Sequence, residues 1–126
     1  METKILTATD IPVAVEFLRE GELVAFPTET VYGLGAVATD AAAVKKVYQA
    51  KGRPSDNPLI VTVSDAAMMR KYVAEVPEAA EKLIEKFWPG PLTILFKVKP
   101  GTLPDVVTGG LATVAIRNPK DQLTQD

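Results

Sequence analysis

Short strand-like apolar runs alternate along this chain with stretches whose apolar residues repeat at helical spacing, and that alternation confines it to an α/β fold. Ile11, Ala14, Val15 and Leu18 share one helical face, with Asp10 placed to cap it and Gly21 beyond its end. Leu23-Val24-Ala25-Phe26 then reads as a short buried strand. Asp40 is placed to cap a second helix that turns Val44, Val47 and Tyr48 inward, and Leu59 to Val63 forms the next strand. Ser64 is positioned to cap a helix running to about Val73. Pro77 opens another in which Ala80, Leu83, Ile84 and Phe87 repeat at helical spacing. Leu92-Thr93-Ile94-Leu95-Phe96 and Thr113-Val114-Ala115-Ile116 read as the last strands. The expected architecture is a twisted mixed sheet with helices packed against it.

A length of 126 residues, 47% of them hydrophobic, suits one domain over residues 1–126 with a real core. Residues 119–126 form a polar tail expected to fray. The chain has no cysteine and no histidine, which removes disulfides, thiolate nucleophiles, the commonest zinc ligands and imidazole acid–base chemistry together. A formal net charge of -2 argues against bulk attraction to nucleic acid, leaving only a local basic groove for such a role. The amino terminus lacks a basic start with an apolar core, and no apolar run reaches the length of a membrane span, so a soluble cytoplasmic protein is expected.

Function is carried by two segments. In Phe26-Pro27-Thr28-Glu29-Thr30-Val31-Tyr32-Gly33-Leu34-Gly35, a strand-like run leads into three hydroxyl side chains spaced two residues apart. If the pleat continues, Thr28, Thr30 and Tyr32 share one face and Glu29 and Val31 the other, because strand side chains alternate. A row of hydroxyls followed by glycines suits a small polar ligand; the same spacing also suits an edge strand entering a tight turn. The second segment, Lys51-Gly52-Arg53 followed by a polar loop with Asn57 between Pro54 and Pro58, places two cations at a helix exit. Basic residues and a glycine there are also ordinary helix punctuation. Pro54 and Pro58 restrict the loop and would hold Lys51, Arg53 and Asn57 in fixed relation. Trp88-Pro89-Gly90-Pro91 reads as a packing anchor with a rigid turn, and the Gly- and Pro-rich stretch 99–110 as either a mobile flap or a plain connection.

With Trp88-Pro89-Gly90-Pro91-Leu92-Thr93 and Val114-Ala115-Ile116-Arg117, these motifs resemble the Sua5/YrdC/YciO family, in that family's order and over residues from about 10 to 118. The resemblance implies a YrdC/RibB-like fold and L-threonylcarbamoyladenylate synthase activity: L-threonine, bicarbonate and ATP give threonylcarbamoyl-AMP and pyrophosphate. The product feeds the threonylcarbamoyl (t6A) modification of tRNAs reading codons that begin with A. It further implies that Thr28, Thr30, Tyr32, Thr62 and Arg117 bind L-threonine, and that Lys51 and Arg53 act at the ATP phosphates as the catalytic cations. Asn57 and Thr113 would contact ATP, and magnesium would be held largely by phosphate oxygens and water. Implied partners are tRNA or double-stranded RNA and other t6A-pathway proteins.

Two features depart from the family pattern. Thr62 stands where a histidine is frequent, and no Ser-x-Asn segment follows Arg117. The chain is therefore expected to correspond to the front portion of the domain, truncated at its carboxyl end, weak as a synthase alone and prone to homo-oligomerise through an exposed sheet edge. Two further readings stand beside the synthase: a double-stranded RNA-binding module, and a nucleotide-dependent carbamoyl-transfer domain like that of hydrogenase-maturation proteins.

Overall fold

The computed structural model describes residues 3–52, 54 and 58–120. A 3-10 turn over Ala8–Asp10 leads into α1 (Ile11–Arg19), β1 (Val24–Phe26) and β2 (Gly33–Gly35), followed by α2 (Ala41–Lys51) and β3 (Ile60–Thr62). Two helices, α3 (Ala66–Met69) and α4 (Glu78–Phe87), precede β4 (Thr93–Lys97), and the short α5 (Asp105–Thr108) precedes β5 (Thr113–Arg117).

Among the described residues the strands form two sheets rather than one. β1 and β2 pair antiparallel as a separate hairpin, while β3, β5 and β4 form a mixed sheet with β5 in the middle. There β3 runs parallel to β5, with Thr62 opposite Arg117, and β4 runs antiparallel to it, with Thr93 opposite Arg117 and Lys97 opposite Thr113. The outer edge of β4 is covered by the segment before α4, through Ala74 N–H to Lys97 O at 2.8 Å and Lys99 N–H to Tyr72 O at 2.8 Å. No strand among the described residues pairs with the outer edge of β3.

The pleat of β5 divides the sheet into a dry face and an open one. Val61, Phe96, Val114 and Ile116 are buried against Val44 and Tyr48 of α2, Met69 of α3, Ala80 and Ile84 of α4, and Val107 of α5. On the other face Ile60 and Leu95 are 57% and 66% exposed, and Thr62, Thr93 and Lys97 are exposed as well.

Local chemistry explains most element boundaries. Asp40 caps α2 by accepting from Ala43 N–H at 3.2 Å, and Gly52 closes it in the left-handed conformation at φ 65. Asp10 does not cap α1 with its side chain; its carboxylate instead accepts from Thr7 N–H at 2.8 Å and closes the preceding turn. The cap expected at Ser64 is supplied by Asp65, which accepts from Met68 N–H at 2.7 Å, and that helix stops at Met69 instead of reaching Val73. In α4 only Ala80 and Ile84 of the expected stripe are buried; Leu83 and Phe87 are 39% and 47% exposed.

Stretch 99–110 is not a flap. Val107 is buried, Tyr48 Oη donates to Val106 O at 2.7 Å, and Leu59 N–H donates to Val107 O at 3.0 Å, which docks α5 against α2 and the approach to β3. Trp88 behaves as the expected anchor, its Nε1–H donating to Leu92 O at 2.9 Å across the turn. Among the described residues no helix is long and apolar enough to cross a membrane.

The two faces of the sheet should respond differently to the same kind of truncation. Ile116→Ala, at a fully buried position, is expected to cost about 2–5 kcal/mol in urea unfolding. Leu95→Ala, on the open face, should stay within about 0.5 kcal/mol.

Candidate functional site

The open face carries its polar chemistry at the carboxyl end of β5. Arg117 lies there with Thr62 on one side and Thr93 on the other by strand register, and register partners share a face. Thr113 occupies the same face four residues earlier, about 13 Å away along the strand. Ala115 lies between them, flanked by Ile60 and Leu95, so an apolar strip separates the two polar ends.

The β1–β2 hairpin contributes a second wall through its connecting loop, residues 27–32. The β1 ladder ends at Phe26, before Pro27, which has no N–H to donate. Thr28 then organises the loop: its hydroxyl donates to Val31 O at 2.6 Å and accepts from Val31 N–H at 3.3 Å and Thr30 N–H at 3.3 Å. This turn brings the Thr28 and Thr30 hydroxyl oxygens to 3.1 Å. The loop meets β5 through Thr30, whose Oγ1 accepts from Arg117 Nη1 at 3.3 Å, and through Glu29, which forms an ion pair with Arg117 Nη2 and accepts from the backbone N–H of Lys120.

Both members of that pair are largely withdrawn from solvent, with side-chain exposures of 16% for Arg117 and 21% for Glu29. Arg117 Nε is buried and has no hydrogen-bond partner among the described residues. A buried N–H left unmade costs about 1–3 kcal/mol.

Of the residues read from sequence, Thr28, Thr30, Thr62 and Arg117 converge at this end of the sheet, with Thr113 on the same face. Tyr32 does not join them by hydrogen bonding and is 75% exposed. Lys51 is exposed in the last turn of α2, and no hydrogen bond or ion pair links it to the cluster among the described residues. Arg53 and Asn57 lie outside the described residues.

The expectation that one pleat carries three hydroxyls on one face and Glu29 on the other is corrected. A side-chain-built turn replaces the strand and sends the Glu29 carboxylate to Arg117 alongside Thr30. Glu29 and Thr93 are thus additions to the site. For Glu29 the available signal was charge: a carboxylate amid the hydroxyls and an arginine at the end of an apolar strand. Among the described residues no cluster of three or more acidic side chains could hold a metal ion. The open hollow lined by Phe87, Pro91 and Leu92 is apolar and offers no side-chain polar group.

The family model for Sua5/YciO/YrdC, described as telomere recombination, matches residues 16–126. The chain belongs to this family. It is 53% identical over 113 residues to a threonylcarbamoyl-AMP synthase of Pyrococcus abyssi and 55% identical over 113 residues to that of Bacillus subtilis, covering 90% of this chain in each case. The structure superposes on P. abyssi Sua5 solved with L-threonine at a TM-score of 0.90, with 48% identity, over 97% of this chain and 36% of that one. E. coli YciO shares the fold at a TM-score of 0.81 and 23% identity, over 97% of this chain and 59% of that one. The chain spans about a third of the length of these two curated relatives, 33% of each. The YrdC-like α/β fold is thus shared across the family members.

The Thr28-centred turn makes a specific demand on side-chain chemistry. Thr28→Val keeps the shape and removes all four hydrogen bonds of the Thr28 hydroxyl, and should destabilise the protein by about 1 kcal/mol or more, since each lost intramolecular bond is worth about 0.5–1.5 kcal/mol net. Thr28→Ser should remain within about 0.5 kcal/mol in the same urea titration.

Proposed function

We propose that this chain carries the L-threonine-binding part of a threonylcarbamoyl-AMP synthase. The observation that carries the reading is the hydrogen bond from the Arg117 guanidinium to the Thr30 hydroxyl, which lies 3.1 Å from that of Thr28, on the open sheet face. It occurs in a chain 48% identical to a Sua5 solved with L-threonine.

Arg117 suits the amino acid carboxylate, since its fork presents parallel N–H donors. The threonine hydroxyls suit the substrate hydroxyl, and Thr62 adds a donor and acceptor beside Arg117. The apolar strip of Ala115, Ile60 and Leu95 leads from there to Thr113, which we assign with Asn57 to the nucleotide. Lys51 and Arg53 are assigned to the phosphates. Magnesium would enter with the nucleotide, bound mainly by phosphate oxygens and water.

The chemistry asks for no nucleophile from the protein. The amine of threonine and bicarbonate-derived carbon dioxide form a carbamate. One carbamate oxygen attacks the α-phosphorus of ATP, the new P–O bond replaces the bond to the β-phosphate oxygen, and pyrophosphate leaves. Positioning and charge neutralisation supply the catalysis, so a chain without histidine or cysteine is adequate to it. The product would feed t6A formation in tRNA. Among the readings open from the sequence, the names of the close relatives favour the synthase over an RNA-binding module. Likeness to HypF, at 24% identity, concerns the fold alone.

Calorimetric titration tests the reading. L-threonine should bind at least about fivefold more tightly than its near-isostere L-valine, because a pocket hydroxyl left unpaired costs about 1–3 kcal/mol. L-serine should fall between them. Equal binding of threonine and valine would remove the hydroxyls as the specificity element.

A further inference from the structure

We propose that Glu29 is a positioning residue: its carboxylate latches the 27–32 loop onto the end of β5 and sets the Thr28 and Thr30 hydroxyls beside Arg117 before a ligand arrives. The inference rests on reading this end of the sheet as the threonine site.

Both carboxylate oxygens are engaged, and by different parts of the chain end. Oε1 takes Arg117 Nη2 on the open face of β5, and Oε2 takes the backbone N–H of Lys120 beyond the strand. The hairpin that carries the loop belongs to a separate sheet, so its own ladder does not register it against β5. Among the described residues, hydrogen bonds spanning 87 to 91 residues of sequence make that connection through Glu29 and Thr30, and Glu29 accepts two of them.

The pairing also changes what Arg117 offers. The charges of Glu29 and Arg117 cancel, so an incoming carboxylate meets a compensated cation. What remains is geometry: a guanidinium whose orientation is fixed by Glu29 and Thr30, each of which takes one of the four Nη hydrogens. Two accounts of Glu29 then differ in sign. If it merely neutralised or competed for Arg117, removing its charge would strengthen binding of an amino acid carboxylate. If it positions the loop and the fork, the same change weakens binding.

The test uses Glu29→Gln in the 126-residue chain with two readouts. Amide hydrogen exchange followed by NMR reports the latch without ligand, because Lys120 N–H donates to Glu29 and Val31 N–H depends on the loop turn. Exchange at Lys120 and Val31 should accelerate at least tenfold, while Phe96 and Val114 in the sheet keep their protection. Calorimetry should show L-threonine binding at least tenfold weaker than in the unaltered chain.

Unchanged exchange at Lys120 and Val31 would overturn the proposal, as would unchanged or tighter threonine binding. Glu29→Asp keeps the charge but is one methylene too short to reach both partners, and should lose Lys120 protection too; it serves if the glutamine variant does not fold. Should the unaltered chain fail to bind threonine while Glu29→Gln still frees Lys120 and Val31, the latch stands and the threonine reading falls.

Discussion

Everything in this structure that concerns function depends on the two-residue repeat of β5. As the middle strand it places Val114 and Ile116 in the core and Thr113, Ala115 and Arg117 on the open face, and its neighbours are held to the same alternation by register. A slip by one residue would bury Arg117 and expose Ile116. The apolar contacts with α2, α3, α4 and α5 therefore do more than stabilise the sheet: they decide which side chains stand on the open face.

A rigid sheet with one dry face is a precise platform, but a single face supplies little enclosure. Here the second wall comes from the loop of a separate hairpin, joined to the platform by side-chain bonds to Arg117 and by a backbone bond at Lys120. Such a junction holds groups in place with few contacts. It can yield locally without disturbing the core, because loop openings need much less free energy than global unfolding.

How much of this was legible beforehand follows the physics of each element. The second helix was read correctly because three independent signals agreed: Asp40 as cap, Val44, Val47 and Tyr48 at helical spacing, and Gly52 at the exit. Composition marks β1, β3, β4 and β5 as strands, whereas β2, Gly-Leu-Gly, carries no strand signal; Thr62, Thr113 and Arg117 are named by the motifs, and only strand register puts them on one face. The loop at 27–32 was harder, because alternation applies only while the ladder continues. Pro27 ends it, and one Thr28 hydroxyl substitutes a turn that reverses the sense of Glu29. Stretch 99–110 reads from its glycines and prolines as either a mobile flap or a plain connection, and what decides between them is docking of Val106 and Val107 through contacts with Tyr48 and Leu59, nearly sixty and fifty positions away. Long-range partners of that kind are invisible to local pattern.

The central claim is that a small zwitterionic ligand binds where the hairpin loop meets the end of β5. Amide and side-chain chemical shifts recorded during an L-threonine titration test it most directly, because they locate binding residue by residue. The account predicts saturable shifts concentrated at Thr28, Glu29, Thr30, Thr62, Thr93 and Arg117, with little change around Phe87, Pro91 and Leu92. Shifts centred on that apolar hollow, or scattered along the outer edge of β3 with Arg117 unmoved, would contradict it.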